Sequence, residues 1–332
     1  MITALVLLGY AVGAALCVPV LLSPLTRRGV SVRVGLAAWL TAMASVLLSA
    51  AVAIGSAFRT AGADWPQLTQ ALCRSVAGGA CTPAVYRSAL YEAGVTALAV
   101  VTALLAAVAL WRYGRRVQRS RVQTRSHART ALLVGTASGT VGGTRTVMLD
   151  DPRPAAYCVA GRPAAIVVTS GALAVLDPPQ LRAVLAHENA HLAHRHHVLA
   201  TVTRGLAAAF PGVPLFARGA AEVSRLTEMS ADDTAARTSG RPALVTALIA
   251  IATGTPCSPA AVPGKGRFRP GAADTAVPRG VMAAASCAVP ARVERLLRPS
   301  SSARSAAYTA TLTLVLALLA AAPPALTLLL AR

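Results

Sequence analysis

The chain has 332 residues, of which 55% are hydrophobic and 13% charged, with a mean hydropathy of +0.57 and a formal net charge of +20. That balance excludes an ordinary pair of soluble domains and points to a chain built into lipid. The positive charge does not make it a nucleic-acid binder, because the arginines gather at the ends of apolar runs, where anionic headgroups attract them and no direct nucleic-acid contact is expected.

In chain order, residues 2–25, 34–58, 93–111 and 305–332 are uncharged apart from their ends. Each is about as long as the roughly 20 apolar residues a helix needs to cross the hydrocarbon core. Four transmembrane helices are therefore predicted. The first lacks the basic leader of a cleaved signal peptide, and its apolar run is too long for one. Pro323 and Pro324 shorten or kink the last, which neighbouring helices make tolerable. Residues 59–92 form an outer loop with nearly balanced charge, whereas Arg112, Arg115, Arg116, Arg119 and Arg121 follow the third span. The positive-inside rule then places residues 112–304 in the cytoplasm and both termini outside. Cys73 and Cys81 lie in the outer loop and can close a disulfide there, while Cys158, Cys257 and Cys287 fall on the reducing side.

Residues 112–304 read as an inserted α+β domain. Thr146–Leu149, Ala156–Val159 and Ala165–Thr169 are short strands of a small antiparallel or mixed sheet. The last of these is either an edge on which an extended peptide could pair or an ordinary core strand. Asp177 caps a long helix predicted to run through His197, and further helices are predicted over Ala220–Arg237, Ala243–Ala252 and Ala291–Leu297. Leu199–Phe216 is broken by Arg204, Pro211 and Pro214 into pieces too short to cross, and is read as a helical hairpin. Residues 254–280, rich in Pro, Gly and Ser, read as a flexible loop.

The chemistry concentrates in His187-Glu188-Asn189-Ala190-His191, an H-E-x-x-H run on the predicted long helix. Residues four apart share a helix face, so both imidazoles can grip one cation while Glu188 stands aside as a general base. A catalytic Zn2+ takes three protein ligands and keeps one position open. His194 is too far along a straight helix to be the third. Glu228 is the better candidate, because Glu228-Met229-Ser230-Ala231-Asp232 puts two carboxylates on one face. One can ligate while Asp232 holds the second N–H of a ligand histidine. Glu222 is a weaker competitor, and His194, Arg195, His196 and His197 read as a solvated helix end.

These motifs, together with Val167–Gly171 and the arrangement of three spans before and one after, resemble the BlaR/MecR-type membrane metallopeptidases. The resemblance implies a gluzincin domain with His187, His191 and Glu228 as zinc ligands, Glu188 as base and Asp232 behind them. It further implies regulatory endopeptidase action on a cytoplasmic winged-helix repressor of the BlaI/MecI kind. The extracellular penicillin-binding domain of that group has no counterpart before Arg332, so direct β-lactam sensing is not expected. A second enzymatic reading is a quality-control or CAAX-type protease like HtpX, which shares both motifs. A third is a non-catalytic zinc-binding receptor, which would have no use for Glu188. A homodimer is compatible with the sequence.

Overall fold

The computed structural model describes residues 2–27, 31–76, 83–161, 163–253, 289–297 and 302–330. They fall into two compact units, the first made of residues 1–117, 202–223 and 305–332, the second of 118–201 and 224–304.

In the first unit, α1 (Ile2–Arg27) packs on α2 (Val32–Val76), and α3 (Pro83–Val134) and the last helix begin or lie here. Leu7, Ala11, Ala14, Val18 and Leu22 form a buried stripe on α1 at three- and four-residue spacing, and Ala38, Trp39, Ala42, Met43 and Val46 do so on α2. Small residues on both stripes let the backbones approach, as in membrane helix pairs. Tyr10 hydrogen-bonds Ser45 (2.8 Å), whose hydroxyl lies 2.7 Å from the Leu319 carbonyl, so polar contacts join three apolar helices. Among the described residues, Ile2–Arg27, Val32–Arg59 and Ala306–Leu329 are long and apolar enough to span a membrane. The expected span 93–111 falls inside α3 and is not among these three.

Where residues 59–92 were expected to form a loop, α2 continues to Val76 and α3 starts at Pro83. Charge and hydropathy mark where lipid ends, not where a helix must end. The pairing of Cys73 with Cys81 lies outside the described residues, as does the stretch 254–280. Residues 202–223 belong to this unit too: a Cβ on Gly205 would strike the Tyr113 ring, and one on Gly219 would strike Met43. Leu199–Phe216 is helical on either side of a turn at Phe210–Val213, where Gly212 takes φ +84°.

The second unit holds a four-stranded mixed sheet, β1 (Thr136–Val141), β2 (Thr144–Leu149), β3 (Ala156–Val159) and β4 (Ala165–Thr169), in the order β1-β2-β4-β3. β1 and β2 are an antiparallel hairpin, turned by Gly142 and Gly143 at φ +56° and +80°; β2 pairs parallel to β4, and β3 antiparallel to β4. β1 was not foreseen, because its TASGTV sequence is polar and almost wholly exposed. Of the two readings for β4, edge or core strand, the structure takes the second: β4 is interior and buried along its length, and β3 is the edge strand on that side. Five consecutive apolar or β-branched residues mark a strand covered on both sides.

Ile166 and Val168 on β4 face α4 (Ser170–Val175), α5 (Pro178–Ala193) and α8 (Arg241–Thr253), forming one core with Ala172, Leu176, Val184 and Ala247. A second core joins α5 through Ala183, α7 (Pro214–Ser239) through Ala235, α8 through Leu244 and α9 (289–297) through Leu296. α5 starts as expected: the Asp177 side chain accepts from Gln180 N–H, and the Gln180 side chain accepts from Asp177 N–H. It stops at Ala193, earlier than predicted. Arg195 turns the chain at φ +52°, and α6 (His196–Ala209) begins anew. The last helix, α10, spans Ser302–Leu330.

Candidate metal centre

α5 is held rigidly between the two cores, so its buried stripe of Ala183, Val184, His187 and Ala190 fixes where the histidines point. The Nε2 atoms of His187 and His191 lie 3.1 Å apart. From α7, Glu228 brings Oε2 to 3.5 Å from His187 Nε2 and Oε1 to 3.5 Å from His191 Nε2. The three ligand atoms lie within 4.8 Å of one another, and no other group of the kind occurs among the described residues. A tetrahedral zinc with bonds of about 2.0–2.1 Å separates its ligands by about 3.3 Å. The His187–His191 separation of 3.1 Å and the 3.5 Å approach of each histidine to a different oxygen of Glu228 are near that figure, while one oxygen alone leaves a longer edge of up to 4.8 Å. Two imidazoles with one carboxylate are donors zinc accepts.

Asp232, one turn beyond Glu228 and 1% exposed, places Oδ1 3.1 Å from His187 Nδ1, though not in line for a well-formed hydrogen bond. The carboxylate favours a proton on Nδ1, which leaves Nε2 as the donor atom for an ion. The sequence reading missed the residue that meets Asp232 from its other side. Arg292 on α9, 7% exposed, donates to Asp232 from Nη2 and Nε at 2.6 and 2.8 Å, and its Nη1 lies 3.5 Å from Glu228. The signal was present: Arg292 and Leu296 are four apart on the buried side of an amphipathic helix, where an arginine needs a carboxylate partner.

Glu188 points to the sheet. Its Oε2 accepts the Cys158 backbone N–H at 2.8 Å, which is the outward-facing N–H of edge strand β3. Burial, more than the neighbouring Glu228 charge, raises its pKa above the ordinary carboxylate value. The same burial and the adjacent Glu188 push the Cys158 thiol far up, so it stays protonated.

Without an ion, burial works against charge on all three of the convergent groups, and their partners decide the outcome. For His187 the Asp232 and Glu228 carboxylates outweigh burial and raise its pKa to about 9. His191, buried beside His187, falls to about 3. Glu228 is held down to about 2 by hydrogen bonding to His187 and by the charges of His191, His187 and Arg292.

Two expectations are corrected. Glu222 is not a ligand candidate: it is 3% exposed and pairs with Arg27, which donates to its Oε1 from Nη2 and Nε at 2.7 and 2.9 Å. The run from His194 to His197 is not uniformly solvated. His196 is 4% exposed, with its Nδ1 3.1 Å from His191 Nδ1, and burial lowers its pKa to about 4.

A helix-borne H-E-x-x-H whose histidines meet a carboxylate from a second helix, beside a small mixed sheet, is the arrangement of a metallopeptidase. The sequence profile of Peptidase family M48 matches residues 125–311, more than half of the chain, and the chain belongs to that family of zinc-dependent peptidases. Similar proteins include those named Protease HtpX homolog in Burkholderia thailandensis, Ralstonia pickettii and Burkholderia multivorans, each 35% identical over 75 residues. Those residues are 22% of this chain and 26% of the relatives, so the chain spans about a quarter of the curated relatives' length. No solved structure matches. The relatives carry the HtpX name, which was the second enzymatic reading; the BlaR/MecR resemblance finds no support among them. Both groups share the two motifs on which that resemblance stood.

Proposed function

We propose that this membrane metallopeptidase is a zinc endopeptidase of the HtpX kind, cleaving damaged or misassembled proteins at the membrane, with its peptidase domain on the cytoplasmic side. The convergence of His187, His191 and Glu228 with Glu188 alongside carries the reading. The arginines that follow the apolar stretch 93–111 on α3, Arg112 to Arg121, support the cytoplasmic placement.

The side chains of His187, His191 and Glu228 would hold the zinc, and Asp232 orients His187. Bound there, zinc supplies Lewis acidity for polarising a peptide carbonyl and activating water. Glu188 moves the proton. Its Oε2 is fixed by Cys158 N–H, which leaves Oε1 to accept a proton from water and deliver it to the departing amine, and burial, which raises its pKa, makes it a stronger proton acceptor than a solvated carboxylate. An extended substrate would lie along the outer edge of β3, where the polypeptide backbone can pair beside Glu188.

The test compares detergent-solubilised protein with its Glu188→Gln variant on unfolded membrane proteins and on a winged-helix repressor. Cleavage of the former, lost by about 100-fold or more in Glu188→Gln at full zinc content, is the expected outcome. Cleavage of the repressor alone would return the regulatory reading, and undiminished cleavage by Glu188→Gln would remove Glu188 from the chemistry.

A further inference from the structure

We propose that His196 is a positioning residue of the metal centre, fixing the tautomer and ring orientation of His191 through an imidazole–imidazole hydrogen bond. This rests on the reading of His187, His191 and Glu228 as metal ligands.

The nitrogen atoms leave one arrangement. His191 turns Nε2 toward His187 Nε2 (3.1 Å) and Glu228 Oε1 (3.5 Å), so that nitrogen is the ligand atom and must carry a lone pair. A neutral imidazole then bears its proton on Nδ1. The atom facing His191 Nδ1, at 3.1 Å, is His196 Nδ1. A single proton lies between the two, donated by His191, so His196 accepts on Nδ1 and holds its own proton on Nε2. The rings meet edge to face, with centroids 4.9 Å apart and planes at 85°, which aims a ring edge rather than a face at the partner nitrogen. His187 has a carboxylate for its Nδ1, Asp232 at 3.1 Å. Among the described contacts of His191, His196 stands in the equivalent place.

The backbone is shaped for this contact. On a continued α5, residue 196 would stand about 140° around the axis from residue 191, facing elsewhere. Instead α5 ends at Ala193. Arg195 adopts φ +52°, the one non-glycine residue among those described in the left-handed region, a conformation L side chains rarely take. Arg195 N–H donates to Leu192 O at 3.1 Å and Val198 N–H to Arg195 O at 2.9 Å. The reversal brings the first residue of α6 back over His191 and buries it to 4% exposure, while His194, Arg195 and His197 stay exposed.

The test titrates detergent-solubilised wild type, His196→Leu, His196→Asp and His197→Ala with Zn2+ against a competing chelator, and records the visible spectrum of each with Co2+. Loss of a hydrogen-bond partner behind a ligand histidine typically weakens metal affinity by about 10–100-fold. His196→Leu is expected to show that loss and an altered Co2+ spectrum. His196→Asp, whose carboxylate can accept the same proton, recovers most of the affinity, and His197→Ala matches wild type. Thermal unfolding of the metal-free forms checks that each variant folds; should His196→Leu fail, His196→Ala is titrated in its place and the recovery in His196→Asp relative to it decides. Affinity and spectrum unchanged in His196→Leu would overturn the inference while leaving the metal centre standing. A wild type that binds neither ion would overturn the metal centre itself, and the inference with it.

Discussion

Replacing Arg292 by leucine isolates what holds the second carboxylate in place. Asp232 is 1% exposed and receives two short hydrogen bonds from Arg292, at 2.6 and 2.8 Å, with His187 Nδ1 at 3.1 Å as its other neighbour. Removing the guanidinium strands a buried anion, which costs about 3–5 kcal/mol. For a domain of this size the melting temperature should fall by about 6–20 °C. Removing Asp232 as well takes away the stranded charge, so Arg292→Leu/Asp232→Leu should lose less than the sum of the single variants, by on the order of 2 kcal/mol. The acid limb moves too. Although burial opposes it, Arg292 holds the Asp232 carboxyl far below its ordinary value. A depressed carboxylate stabilises the fold above its unfolded pKa of about 3.9, and that stability is lost as pH falls below it. Without Arg292, burial prevails and the loss begins at higher pH. Thermal unfolding of the metal-free protein across pH 3–8 measures both effects. Additive single-variant losses, or an acid limb that does not move in Arg292→Leu, would refute the reasoning.

Metal binding should release close to one proton per ion at pH 7. With its pKa raised to about 9, His187 is protonated in the metal-free site, whereas His191, lowered to about 3, is already bare. Affinity should therefore fall about tenfold for each pH unit below 9. Calorimetry in buffers of different ionisation enthalpy counts the protons, and zero release at pH 7 would contradict the assignment. Glu222→Gln should keep its full metal content, because that carboxylate is engaged by Arg27. Metal loss in Glu222→Gln, with Glu228→Gln still loaded, would exchange their roles.

Much of the centre could be read directly from local spacing. A spacing of four from His187 to His191, and again from Glu228 to Asp232, places each pair on one helix face wherever the helices go. What lay hidden depends on nonlocal geometry. Arg292 is 60 residues from Asp232, and only the packing of α9 on α5 and α7 through Leu296 brings them together. His196 looked solvated because a straight helix was assumed, and one left-handed residue, Arg195, reverses that. Whether β4 is an edge or a core strand stays open in its sequence alone, because strand order is set by pairing partners that a single strand's composition does not encode; its pairing with both β2 and β3 makes it the core strand. β1 carries no apolar alternation and is defined by its glycine turn and its partner β2. Three of the four expected spans fall on helices long and apolar enough to cross a membrane among the described residues, and α2 runs on past its apolar stretch to Val76.

The central claim is that His187, His191 and Glu228 together hold one divalent ion. Elemental analysis of the folded, detergent-solubilised chain measures it most directly. One zinc per chain is expected in wild type and in Glu188→Gln, and close to none in folded His191→Ala and Glu228→Ala. A metal-free wild type dialysed against zinc, or full loading of Glu228→Ala, would contradict it.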